Sequence, residues 1–226
     1  MTMAVPLQGC SCPPWQVDGP ETREGAFRDS VRAAYIALDV SARRKMVDSA
    51  ACRNWHRQMF KSHVPLDYYA GNYRQIDVQR PCLDVNVEVA GIRGFPPGRV
   101  IFEMEQLFTD LPRQLARLET SWPQCSPQDR AKRLATILGI LIGRFIQVHP
   151  FVNGNGRTSR LLWAWGLIRF GVPPQVRVRN HPENPTYDQI MGYAMDGDFR
   201  HLALFILQHL AAKPPGIISP APTRPP

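Results

Sequence analysis

Long apolar runs are missing from this sequence. Its hydrophobic stretches are short and interrupted, well under the roughly 20 consecutive apolar residues that a membrane-crossing helix needs, so no membrane insertion is expected. Cysteine is scarce as well. The five present (Cys10, Cys12, Cys52, Cys82 and Cys125) are odd in number and irregularly spaced, which reads as the thiols of a reducing cytoplasm rather than a disulfide framework. Cys10-Ser11-Cys12 lacks the second pair that a metal site would need. The first residues carry no basic start followed by an apolar core, so no secretory leader is read and a cytoplasmic location is expected. Acidic residues are outnumbered, 19 against 27 Lys plus Arg for a formal charge of +8, yet blocks of like charge are lacking: only Arg43-Arg44-Lys45 clusters. Nucleic acid is therefore not the expected partner, and a small polyanion accounts for part of the excess.

What the sequence does have is helical periodicity between two irregular ends. Residues 1–24, rich in Pro and Gly, read as an irregular lead, and the proline-rich residues 213–226 as a flexible tail, leaving one domain at 25–212. Within it, Phe27, Val31, Ala34, Tyr35 and Leu38 recur at helical spacing. Ser41 is read as the cap of the next helix, which carries Trp55 and Met59, with His56 on it as a structural residue. Val85, Val87 and Val89 alternate with polar residues and return through Ala90-Gly91, the pattern of a β-hairpin. A lone hairpin in a helical chain leaves an unpaired edge that invites another strand. Pro112 either kinks the following helix or opens a new one. Ser126-Pro127-Gln128-Asp129 is a helix start, and residues 131–148 are apolar on nearly every side, so that helix should be buried. The fold class expected is all-α, mainly helical, with one small β-hairpin.

The chemistry is concentrated where the buried helix ends, at His149-Pro150-Phe151-Val152-Asn153-Gly154-Asn155-Gly156-Arg157-Thr158-Ser159-Arg160. Gly154 and Gly156 remove side chains, so backbone N–H groups at the next helix start are free to face an anion. Arg157 and Arg160, three apart on that helix's first turn, suit phosphate oxygens. His149 supplies a base titrating near neutrality. Singly, each feature describes an ordinary loop, turn or solvated helix face; at this spacing they compose a phosphoryl- or nucleotidyl-transfer site.

This stretch resembles the signature of the Fic (filamentation induced by cAMP) domain, H-P-F-x-[DE]-G-N-G-R-x-x-R, at eight of its nine fixed positions. Gly71-Asn72-Tyr73-Arg74 resembles the family's G-x-[YF]-R element, which opens the segment before the flap. The resemblance implies AMP transfer from ATP to a Ser, Thr or Tyr hydroxyl of a target protein. It makes His149 the general base, Gly154, Asn155 and Gly156 the anion hole, and Arg157 and Arg160 the holders of the leaving pyrophosphate and the γ-phosphate. It makes Val85, Val87 and Val89 the flap on which the target docks by strand addition.

Asn153 is the mismatch: it stands where the family has the acidic ligand of Mg²⁺, so a weakened magnesium site is expected. The alternative that follows is a nucleotide-binding or protein-interaction module that keeps the fold and has lost catalysis. An intact inhibitory motif, [ST]-x-x-x-E-[GN], is absent. Glu24-Gly25 is its nearest candidate with Pro20 at the hydroxyl position, which leaves a degenerate inhibitor, a separate inhibitory protein or no such control.

Overall fold

Apolar residues on nearly every side of 131–148 require a helix covered all round, and the computed structural model supplies one at Pro127–Val148. The structure describes residues 3–6, 11–15, 24–89, 91–174 and 185–211. Among these the order is β1 (Met3–Pro6), α1 (Glu24–Ala42), α2 (Ser49–Phe60), β2 (Val85–Val89), β3 (Ile92–Arg93), α3 (Pro97–Ser121), α4 (Pro127–Val148), α5 (Asn155–Arg169), α6 (Pro185–Met195) and α7 (Arg200–Ala211). The chain is mainly helical with one small sheet, as expected. No helix among the described residues is long and apolar enough to cross a membrane.

α4 is the axis. Ser126 caps it: its Oγ accepts from the Asp129 N–H at 3.1 Å and donates to the Asp129 carboxylate at 2.7 Å. Leu134, Leu138, Ile142 and Phe145 are buried along it, and α3, α5, α6 and α7 pack around it. α7 lies close because Gly139 and Gly143 present no side chain; a Cβ on Gly139 would fall 2.8 Å from the Ala203 Cα, and one on Gly143 2.3 Å from the Phe199 ring. α5 is buried almost throughout and packs on α1, α2 and α4, so the turn between α4 and α5 is clamped from both sides.

Three readings change and one narrows. Ser41 lies inside α1, its Oγ donating to the Ala37 carbonyl at 3.0 Å; α2 is capped instead by Asp48, which accepts from the Ala51 N–H at 2.7 Å. α3 continues through Pro112 as one helix, so of the two alternatives there no new helix opens. Residues 1–24 are not irregular throughout: Met3–Pro6 forms an antiparallel strand on β2, giving a three-stranded sheet in the order β1-β2-β3. Cys12 and Cys82 are joined in a disulfide across 70 residues, which removes the cysteine pattern as a ground for a reducing compartment. Cys52 and Cys125 are free. Residues 213–226 lie outside the described residues.

Candidate active site

His149 ends α4 as its C-cap in the left-handed region, φ 52°, and its N–H donates to the Phe145 carbonyl at 3.0 Å. Among the described residues it is the one non-glycine with positive φ. That conformation turns the chain sharply out of a rigid helix. The ring is buried, with Nδ1 3.3 Å from the Ile146 carbonyl. A carbonyl only accepts, so Nδ1 carries the hydrogen and Nε2 keeps the lone pair. Burial pushes the His149 pKa down to about 3, the Arg74 guanidinium adds to the fall, and the bond to Ile146 opposes it. The imidazole is neutral at pH 7.

Beyond His149 the turn is held from within. Asn155 Oδ1 accepts from the Phe151 N–H at 2.9 Å while its Nδ2 donates to the Phe151 carbonyl at 2.8 Å. The Asn155 side chain thus closes the turn, and its contribution to an anion cradle is limited to its backbone N–H. Phe151 is fully buried and stacks on His56, ring centroids 3.7 Å apart. Gly154, at φ 79°, is the N-cap of α5, and a Cβ there would lie 2.4 Å from the Phe60 ring and 3.0 Å from His56 Nε2. Gly156 is the opposite case: a Cβ there would meet nothing within 4 Å. Open space therefore adjoins the first turn of α5, where the N–H groups of Asn155 and Gly156 have no acceptor within the helix.

Arg157, on that first turn, and Arg160, on the next, are buried and held against ring faces. The Arg157 guanidinium carbon sits 4.7 Å from the Phe27 ring centroid, and that of Arg160 sits 5.6 Å from the Tyr187 centroid. Glu24 opens α1 near Phe27; its side chain lies outside the described residues.

Asn153 has both ends of its amide engaged. Its Oδ1 accepts from the Gly154 N–H at 2.6 Å, and its Nδ2 donates to the Trp15 carbonyl at 2.8 Å. His56, read as structural, is that: Nδ1 accepts from the Gly71 N–H at 2.9 Å and Nε2 donates to the Asn153 carbonyl at 3.0 Å. Burial pushes its pKa to about 3 against that backbone bond, so it too is neutral.

Arg74 was visible in sequence only as part of a motif; its work is to knit the hairpin to the turn. Its fully buried guanidinium donates from Nε to the His149 carbonyl and from Nη1 to the Val85 carbonyl, both at 2.8 Å. Nη2 donates to Phe95 at 2.8 Å and Val148 at 3.0 Å. β2 and β3 are thereby fixed beside His149, whose Cβ would lie 3.0 Å from a Cβ on Gly94. Val85 and Val87 point inward and Val89 is half-buried. The outer edge of β2 is not unpaired, because β1 occupies it. Trp15, which sequence reading passed over, stacks on Tyr69 and donates its indole N–H to the His63 carbonyl at 3.1 Å. No motif marked it, since its partners lie far away in the chain.

Comparison with known proteins bears on this arrangement. The model of the Fic/DOC family matches residues 46–167. The protein adenylyltransferase Fic of Drosophila virilis is 40% identical over 63 residues, a stretch covering 28% of this chain and 13% of that protein. Its Drosophila melanogaster counterpart matches equally, over 12% of its length, so the match spans only a small part of these relatives. A Fic domain containing signaling protein from Bacteroides thetaiotaomicron superposes with a TM-score of 0.56 at 16% identity, over 82% of this chain and 69% of that one. The Bartonella tribocorum effector BepC, solved with bound AMPPNP, gives 0.54 at 15% identity, over 83% and 87%. At such identities the two solved structures speak for the fold alone.

Proposed function

The chain belongs to the Fic/DOC family, and on that premise we propose that it is a protein adenylyltransferase, moving AMP from ATP onto a Ser, Thr or Tyr hydroxyl of another protein. The observation that carries this reading is the junction of α4 and α5. A neutral imidazole with its Nε2 lone pair kept stands at one end, and an open helix N-terminus with two arginines at the other. The hydroxyl oxygen attacks the α-phosphorus, its proton passes to His149 Nε2, and the bond to the β-phosphate breaks to release pyrophosphate. The N–H groups of Asn155 and Gly156 face the phosphates. Arg157 holds the departing pyrophosphate and Arg160 the γ-phosphate. Burial disfavours the imidazolium that proton transfer creates; a triphosphate beside it raises the His149 pKa and lowers that cost. An arginine at 157, where family relatives that transfer phosphate carry lysine, favours the nucleotidyl branch. The AMPPNP held by BepC supports a nucleoside triphosphate as ligand.

Magnesium finds no ready ligand at Asn153. The residue is uncharged and both ends of its amide are engaged, and no group of three or more His, Cys, Asp or Glu among the described residues suits an ion. This favours a second reading, a nucleotide-binding or protein-interaction module without transfer. Intact-mass analysis after incubation with ATP and Mg²⁺ separates the two. A transferase adds AMP to itself or to lysate proteins, and His149→Asn, which suits the left-handed backbone, lowers the yield by about 10²-fold or more. ATP binding without an adduct, the same in His149→Asn, would establish the module.

A further inference from the structure

We propose that Met3–Pro6 is a decoy strand seated on the sheet edge where a target segment docks, latched there by the Cys12–Cys82 disulfide and released by a dithiol reductant. The identity of the displaced competitor rests on the adenylyltransferase reading; the latch does not.

The pairing defines which edge is filled. The Val87 carbonyl accepts from the Gly94 N–H at 3.0 Å and the Val85 carbonyl from Arg74, so these residues turn their main chain toward β3. Backbone direction alternates along a strand, so Asn86 and Glu88 face the other way, opposite Val5 and Met3 of β1. A strand from another protein that adds to this edge of β2 would need those same groups. The occupant offers no chemistry in return: Met-Ala-Val-Pro contains no hydroxyl, so it fits the edge as a peptide backbone without an acceptor for AMP. Pro6, opposite Val85, lacks an N–H on the side of β1 that faces away from β2, so its absence leaves the pairing to Asn86 and Glu88 intact.

Four paired residues are a weak hold in isolation. The covalent link changes this. Cys12 follows Pro6 by six residues and Cys82 precedes Val85 by three, so the disulfide ties the strand close to the edge it occupies and raises its local concentration there. Trp15 continues the strap to the catalytic turn, its carbonyl accepting from Asn153 and its ring packed on Tyr69. One segment therefore touches both the docking edge and the turn after His149. Two electrons and two protons from a dithiol open the bond to two cysteine thiols, and the dithiol departs as its own disulfide. β1 is then tethered only from Trp15 onward, at a greater distance along the chain.

The test is amide hydrogen exchange on the full chain, compared as oxidised protein, after dithiothreitol, and as Cys12→Ser. Exchange at Asn86 and Glu88 is expected to quicken by about tenfold or more in the last two, while Val87 and Val89, which face β3, stay within about twofold. Equal rates at Asn86 and Glu88 in all three overturn the latch. Val5→Pro removes a strand donor and leaves the disulfide intact; it should free Asn86 and Glu88 even in the oxidised chain, and no change there overturns the assignment of β1 as the occupant. Labelled-AMP incorporation into lysate proteins should rise with reduction. The expected exchange pattern with no incorporation in any state supports the latch and counts against the transferase.

Discussion

Asn153 Nδ2 donates to the Trp15 carbonyl at 2.8 Å, so the residue that departs from the family signature fastens the N-terminal segment to the turn between α4 and α5. A carboxylate cannot make this bond. The amide is the only member of the Asn/Asp pair that donates at neutral pH.

Asn153→Asp should therefore lose the bond and set a carboxylate against a carbonyl, destabilising the fold by roughly 1–3 kcal/mol at pH 7. The Gly154 N–H still finds an acceptor in the new side chain. The facing carbonyl raises the folded-state pKa of the new carboxyl and protonation restores a donor, so the gap in urea midpoint between variant and parent should narrow as pH falls through that raised value toward about 4, where the unfolded chain titrates. A gap that does not depend on pH would refute the donor argument.

Arg74 serves four carbonyls with one planar group, two at the end of α4, one on β2 and one just after β3. Arg74→Met leaves those acceptors buried without a donor and should cost about 3 kcal/mol or more, seen as a large drop in denaturation midpoint. Arg74→Lys keeps the charge but not the fork, so part of the network is lost. Its thermal loss should be smaller than that of Met, while AMP transfer falls disproportionately because the hairpin is no longer fixed beside His149. Equal proportional effects on stability and transfer in both variants would argue against a positioning role.

The two glycines of the signature should behave oppositely. Gly154→Ala places a Cβ at φ 79° and against Phe60 and His56, and should destabilise by roughly 2–4 kcal/mol from backbone strain and overlap together. Gly156→Ala meets open space within a helix and should hold or raise the melting temperature, by up to about 1 kcal/mol of stability. The same methyl enters the space assigned to phosphates, so ATP affinity should fall in Gly156→Ala, read by calorimetric titration. Unchanged affinity would place the phosphates elsewhere.

Much of this was legible in the chain itself. The apolar run before His149, the Ser126 cap and the alternating valines are local signals, and local signals specify helices and strands wherever packing agrees with them. The signature likewise located the turn. What stayed hidden depends on partners distant in sequence. Trp15 meets Asn153 across 138 residues, Arg74 reaches His149 across 75, and Cys12 bonds Cys82 across 70. Periodicity carries no information at those separations. Ser41 misled for a related reason: its hydroxyl bonds back to the Ala37 and Leu38 carbonyls, a use open to serine inside a helix as well as at its start.

Stability should fall in mild acid because two buried imidazoles are kept neutral. His56 and His149 both have pKa values pushed down to about 3, chiefly by burial, from an ordinary value of 6.5. Below pH 6.5 the unfolded chain takes up a proton at each ring that the folded chain refuses until about pH 3. Folding stability thus rises with pH across this window and is lost as pH falls through it, by up to roughly 1.4 kcal/mol per pH unit for each ring. Asp198 and Asp77 have carboxylate pKa values held below the ordinary 3.8 by Arg200 and Arg80, so between pH 6.5 and 5 they stay charged in both states and do not mask the effect. Urea unfolding of the parent and of His149→Asn over that interval should give a shallower dependence in the variant, reduced by one ring's share. Identical slopes would mean that His149 is protonated in the folded chain near neutrality, which would remove the neutral base from the proposed transfer.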